Sequence, residues 1–157
     1  MYPLRGLLSV LARLMISAIF VMSPAGNKIP NFAGVAAMME GKGIPQPKIL
    51  LAGAIAFMLL GGVSIVIGYK ARFGALLLLV FLGAATYYFH DFRALPAGSP
   101  EHRDQMIQFM KNLALMGTML FFLANGTGPW SLDNRAAAGA AEEADDVPAP
   151  RESRPGR

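Results

Sequence analysis

The chain has 157 residues, 54% of them apolar and only 15% charged, with a formal net charge of +4 and no cysteine. That length suits one compact domain, and the missing thiols exclude a disulfide framework or thiol redox chemistry on the chain itself. The basic residues are spread through short connecting segments without a basic stripe or interleaved aromatics, so the sequence argues against nucleic acid as a partner.

The apolar residues fall into four blocks. Gly6–Met22 holds a single charge, Ile49–Tyr69 and Phe73–Phe89 hold none, and Met106–Ala124 is polar only in its first turns. Each block is about 17 to 21 residues, near the length needed to cross roughly 30 Å of hydrocarbon at 1.5 Å per residue. A chain this short has too little protein to surround helices that lack any polar face, and none of the blocks alternates like a barrel strand. The sequence therefore predicts an all-α fold: a four-transmembrane-helix bundle, with a short interfacial helix between spans one and two, in a lipid bilayer.

In chain order, the first block has the look of a secretory signal, with Arg5 before it and "SPAG" after it. Arg13 within the apolar run and Pro24 beside the would-be cleavage point favour a retained span. The connection Ser23–Lys48 is rich in glycine and proline, and "FAGVAAMMEGKG" within it predicts a short helix ending at Gly41. Spans two and three must form a tight antiparallel hairpin with Lys70 and Arg72 at its corner. In the next loop, Ser99-Pro100-Glu101 predicts a helix start: Ser as N-cap, Pro at the first helical position, an acid in the first turn. Trp130 suits an interfacial anchor. Residues 134–157 are rich in Ala, Pro and charge and predict a disordered tail, leaving 1–133 as the membrane domain. Four spans put both termini on one side, and the Lys70/Arg72 corner makes that side cytoplasmic.

Polar groups inside membrane helices are costly, so each needs an account. Arg13 lies roughly 10 Å into the first span at helical rise. It snorkels to the nearer head groups along its aliphatic stem, pairs with Ser17 one turn on and with free carbonyls, or faces the bundle interior near a ligand or a partner subunit. Gln105, Gln108, Lys111 and Asn112 fall at i, i+3, i+6 and i+7 at the start of span four, a spacing that predicts one shared helical face. Topology gathers Asn27, Lys28, His90, Asp91, Gln108, Lys111 and Asn112 toward one leaflet, where Asp91 is placed to pair with Lys111. Two readings stand: a structural clasp that fixes helix register, or a site for a ligand such as a quinone head group. His90 and His102 are poorly placed for bis-histidine haem. There is no carboxylate in any span, no Glu-x-x-His, no Ser/His/Asp elbow and no phosphate loop, so neither catalytic nor metal residues are assigned. Gly61, Gly62, Gly68, Gly74 and Gly83 read as close-packing points between helices.

Several segments resemble the DoxX family of membrane proteins. "LARLMISAIFVMSPAGNKIPNF" is similar to the family's opening, "LLGGVSIVIGYKARFGALLLLVF" to its second hairpin, and "FHDF…QMIQFMKNLALMGTMLFF…GPWSLD" to its last connection and ending. The resemblance covers roughly residues 7 to 133, with "FMKNLALMG" and "GPWSLD" its most specific pieces. It implies a small four-helix protein of the bacterial cytoplasmic (inner) membrane, in a family named for a subunit linked to quinol oxidase and thiosulfate:quinone oxidoreductase systems. Arg13, Lys28, His90, Lys111 and Asn112 occupy the family's recurrent polar positions. Many relatives carry a glutamate shortly before the Gly-Gly of span two. Here "AFMLLGG" has Phe57 and Met58, which removes the obvious counter-ion for Arg13.

The functional expectation is an accessory, non-catalytic subunit of a quinone-linked or stress-related oxidoreductase complex. The rival is a small-molecule binding or transport protein for an anion or quinone, using Lys111, Asn112 and His90. A packing scaffold without a ligand is the third. No cofactor is evident beyond a quinone, and the partners foreseen are lipid, proteins of a redox complex, and further copies of the chain.

Overall fold

A computed structural model describes residues 2–145. Four long helices dominate it: α1 (Tyr2–Ser23), α3 (Pro47–Ile67), α4 (Ala71–Phe89) and α5 (Pro100–Asn125). All four are long and apolar enough to cross a membrane, and the first continues as far as Lys28. Short α2 (Phe32–Gly41) fills the long first connection, at the place foreseen for an interfacial helix. A further helix, α6 (Leu132–Asp145), follows the last span. The structure is all-helical, with four candidate transmembrane helices.

The helix ends follow local chemistry. Pro24 has no N–H to give the preceding turn, and the chain answers with a wide π-type turn over Pro24–Lys28, in which the Ile29 amide donates to the Pro24 carbonyl, 2.9 Å. At α5 the Ser99 side chain accepts from the His102 amide at 3.1 Å with Pro100 at the first position, as the sequence predicts. The α3–α4 corner is only Gly68, Tyr69 and Lys70. Both Gly68 (φ +69°) and Lys70 (φ +47°) are left-handed there, which glycine accommodates freely and lysine does not.

The segment from residue 134, where composition predicts a disordered tail, opens within α6. The chain is helical to Asp145, and residues 146–157 lie outside the described part. The physical reason is that the Ser131 hydroxyl caps the Asn134 amide (3.2 Å) ahead of a run of alanines, the strongest helix formers.

Extensive helix interfaces join α3 to α4, α4 to α5, and α1 to α3, while α2 packs on α3. One core cluster draws Phe20 from α1, Met58 and Ile65 from α3, Leu78 and Leu82 from α4, and Met119 and Phe122 from α5. A second, under α2, comprises Ala36, Met39, Ile44 and Leu51. Each long helix buries only a stripe. Leu8, Met15, Leu60, Phe73, Val80 and Phe121 are among many large apolar side chains left outward, a surface that lipid rather than water must solvate.

The α3–α4 contact is the tightest. A Cβ on Gly61 would sit 2.8 Å from the Gly74 carbonyl oxygen, and one on Gly74 would sit 3.1 Å from that of Gly61. The two backbones touch because neither residue has a side chain, which is how helices without a hydrophobic drive between them gain van der Waals contact. Gly83 differs from this expectation: open space surrounds it. Gly74→Leu should lower the thermal unfolding midpoint in detergent, with an overpacking loss of about 1–3 kcal/mol, whereas Gly53→Leu, in open space, should leave it nearly unchanged.

Candidate functional site

Polar side chains gather at both ends of the four helices. The start of α1, the end of α3, the start of α4 and the end of α5 meet at one end, here the terminal end. The loops after α1, α2 and α4 lie at the other, the loop end.

Arg13 belongs to the terminal end. It is 2% exposed, so it does not snorkel. Its Nη2 donates to the Trp130 carbonyl (2.9 Å) and its Nε to the Ser9 carbonyl one turn earlier (3.3 Å). Nη1 has no hydrogen-bond partner and lies where a Cβ on Gly68 would come within 2.6 Å. Gly68 closes the C-terminus of α3, so the cation faces the negative end of a helix dipole. This supplies in part what a carboxylate would. Met58 lies ten residues before Gly68, about 15 Å along α3 at helical rise, and is packed in the apolar core.

The segment Gly126–Asp133 is what reaches Arg13. Gly126 (φ +70°), Gly128 (φ +77°) and Trp130 (φ +59°) let it fold back along α1, the last at a backbone cost of order 1–3 kcal/mol for a bulky residue. Ser9 Oγ donates to the Thr127 carbonyl (2.6 Å), and the Trp130 indole lies against Gly6, where no side chain fits. Asp133 then completes the joint. Its two carboxylate oxygens accept from the backbone amides of Lys70 (2.8 Å) and Ala71 (2.9 Å), capping α4 from another part of the chain. Its own amide donates to the Gly68 carbonyl (2.8 Å). "GPWSLD" is thus a latch that ties α1, the α3–α4 corner and the end of α5 together. Gly68 is foreseen as a close-packing point, whereas Ser9, Thr127, Ser131 and Asp133 are not foreseen individually; the "GPWSLD" motif is the signal available.

At the loop end the predicted cluster separates into pairs. Lys111 and Asn112 are neighbours, so they point about 100° apart on the helix and cannot share a face. Asn112 turns inward and its Nδ2 donates to Thr86 Oγ1 of α4 (3.1 Å). Lys111 turns outward, and its ammonium donates to Gln108 Oε1 one turn nearer the helix start, the direction in which helical side chains lean. Its exposed position and reach toward the loop end are those of a snorkelling lysine. Among the described residues no ion pair joins Lys111 to Asp91, because Asp91 instead accepts from the Arg93 amide (3.2 Å) at the start of a 3-10 turn. Lys28 donates to Ser23 Oγ (2.7 Å) within the π-turn segment, which also carries Asn27 and packs on α2 and α3. Arg13 is thereby separated from His90, which lies beyond the far end of α4.

What the loop end does build is a cleft of about 430 Å³ between α4 and α5. Gly83, Thr86 and Tyr87 form its α4 wall, Phe109 and Met116 its α5 wall, and His90, Asp91 and Arg93 its mouth. Gln105 Oε1 lies 2.9 Å from His90 Nδ1. With the amide oxygen as acceptor, Nδ1 carries the hydrogen and Nε2 keeps a lone pair. Thr86 accepts from Asn112 and so retains its own hydroxyl hydrogen for another acceptor. Phe92 packs edge-on against Phe109 (5.3 Å between centroids) and His102 (5.5 Å). The result is an aromatic-walled slot whose polar groups lie at its mouth and along one side.

Four apolar spans, a buried guanidinium held by carbonyls and a lipid-facing outer surface define a small multi-pass membrane protein. The chain belongs to the DoxX family, whose pattern matches residues 8–91. That match takes in the first three spans and stops short of α5 and the latch. Similar proteins include the inner membrane protein YqjF of Escherichia coli, 30% identical over 124 residues, covering 79% of this chain and 88% of that protein. The inner membrane protein YphA of the same organism is 28% identical over 134 residues, 83% of this chain and 91% of YphA. A Surfeit locus protein 4 homolog of Schizosaccharomyces pombe is 30% identical over 96 residues; these are 61% of this chain but only 31% of that longer protein. No solved structure matches the chain.

The latch can be read directly, because Trp130 is the sole tryptophan. Arg13→Leu strands the Trp130 carbonyl, a loss of about 1–3 kcal/mol, and should raise quenching of Trp130 fluorescence by acrylamide while the helical content stays the same. Unchanged quenching would show that the guanidinium does not hold the segment.

Proposed function

We propose that this protein is a non-catalytic membrane subunit that holds a quinone-type head group in the α4/α5 cleft and serves an oxidoreductase of the bacterial inner membrane. The observation that carries this reading is the cleft itself. Its volume suits a substituted ring, and its walls are aromatic and apolar. Its polar groups include donors, the Thr86 hydroxyl and the Arg93 guanidinium, acceptors, His90 Nε2 and the Asp91 carboxylate, and the Tyr87 hydroxyl, which can act as either. Quinone carbonyls need donors and a quinol hydroxyl needs an acceptor, so this set fits both oxidation states. Gly83 and Tyr87 are exposed on the lipid side, which gives a membrane-dissolved ligand a lateral way in.

The accessory part of the reading rests on what the residues offer. The chain has no cysteine, and the described residues contain no group of three His, Cys, Asp or Glu side chains able to hold a metal. In this reading, electrons exchanged with the bound ring pass to or from a partner protein. Placement in the inner membrane follows the names of the two Escherichia coli relatives. Both termini are assigned to the cytoplasm on the strength of the basic Lys70/Arg72 corner.

Gly83→Leu is the sharpest test of the cleft, because the new side chain enters open space without touching the backbone of α5. The purified protein should be stabilised against heat by a short-chain quinone. The variant should bind that quinone at least about tenfold more weakly, a difference of about 1.4 kcal/mol, while its unliganded midpoint stays unchanged. A wild-type protein indifferent to quinone would end the proposal. Separately, mild detergent extraction should recover the chain together with a redox-active protein; consistent recovery alone would remove the accessory role.

A further inference from the structure

The terminal end carries a second cavity, about 440 Å³, which the proposed quinone cleft does not use. It is enclosed on three sides: by the start of α4 with Lys70, Arg72 and Phe73, by the end of α5 and its loop through Thr127, and by the start of α6 with Asn134. A half-open groove walled by three separate chain segments is a built feature of the fold, and the latch is what holds those segments together.

Its electrostatics are one-sided. Asp133 lines the cavity, but both carboxylate oxygens are already engaged by the Lys70 and Ala71 amides, so its charge is directed to the N-terminus of α4. Arg72 makes one long bond, Nη2 to the Ala124 carbonyl at 3.4 Å, which leaves most of its five N–H donors free. The Lys70 ammonium rests 5.7 Å from the centroid of the Tyr69 ring and is otherwise free for an anion. Thr127, 6% exposed, forms part of the wall, with its hydroxyl closed off from solvent and unpartnered among the described residues. Two cations with free donors at one cavity call for an anion with several acceptor oxygens, which is the chemistry of phosphate.

The depth narrows the source. Ala71 opens one membrane span and Asn125 closes another, so the cavity lies where hydrocarbon gives way to head groups. Phe73, on the same wall, is 60% exposed toward the lipid. A ligand there meets cations at one edge and an apolar surface at the other. We infer that the cavity between α4, α5 and α6 is a phosphate site, occupied in the membrane by the head group of an anionic phospholipid whose acyl chains run along Phe73. Free inorganic phosphate is the other source of the same chemistry.

The test uses the full chain, purified in detergent and examined by native mass spectrometry with phosphatidylglycerol or phosphatidylcholine of matched acyl chains. Each basic side chain near an anionic lipid contributes roughly fivefold, so the wild type should retain phosphatidylglycerol about twenty-five-fold better. The double variant Lys70→Gln/Arg72→Gln should lose that preference at an unchanged unfolding midpoint. Arg93→Gln, at the opposite end, should keep it. If excess inorganic phosphate leaves the bound lipid in place, the lipid is the ligand; if it displaces the lipid from the wild type, the site takes free phosphate. Equal retention of the two lipids by the wild type, with no effect of phosphate on its midpoint, would overturn the inference. So would full retention of phosphatidylglycerol by the double variant.

Discussion

A guanidinium within an apolar layer has to be solvated by the protein, and most of this structure's terminal end follows from that requirement. Arg13 is too deeply enclosed to reach water, and among the described residues no carboxylate pairs with it. Backbone carbonyls and the end of α3 take over. Meeting that demand draws the segment after α5 back onto α1, bends Trp130 into an unfavourable backbone region and forbids a side chain at Gly68. Once the segment is there, Asp133 falls against the first amides of α4. One costly side chain thus links four parts of the chain that share only narrow stripes of apolar contact.

The two ends of the molecule divide the work. At the terminal end the helices are tied by the latch, with the Lys70 and Arg72 cations left free at its edge. At the loop end, Asn112 joins α5 to Thr86 of α4, Gln105 meets His90 just beyond α4, and the helices diverge around a cleft. A fixed end and an open end suit a protein that binds without rearranging. The close Gly61–Gly74 contact also holds α3 and α4 together independently of anything bound beside α5.

The spans, the helix between the first two, the tight corner and the Ser99 cap were all legible in the sequence, because apolar runs and capping residues act locally. The site was only partly legible. His90 and Asp91 do reach one cleft, but Lys111 does not join them, since adjacent helical residues point in different directions whatever their shared topology. The latch was not readable as such. Its bonds span from 62 residues, between Ala71 and Asp133, to 118, between Ser9 and Thr127, and they run to or from backbone groups, which leave no pattern in the sequence. Nor did composition reveal α6: alanine with scattered charge reads as disorder until Ser131 supplies a cap and Asp133 an anchorage.

The wide turn at Pro24 has a geometric effect beyond accommodating a proline. It slips one extra residue into the helix, and each residue corresponds to about 100° of rotation. In an unbroken α-helix Lys28 would stand about 80° around the axis from buried Phe20; with the extra residue it comes to within about 20°. The half-buried amine then meets Ser23, five positions back, instead of facing acyl chains. A single proline therefore acts as a phase shifter, changing which residues of the following segment look inward without altering any of their identities.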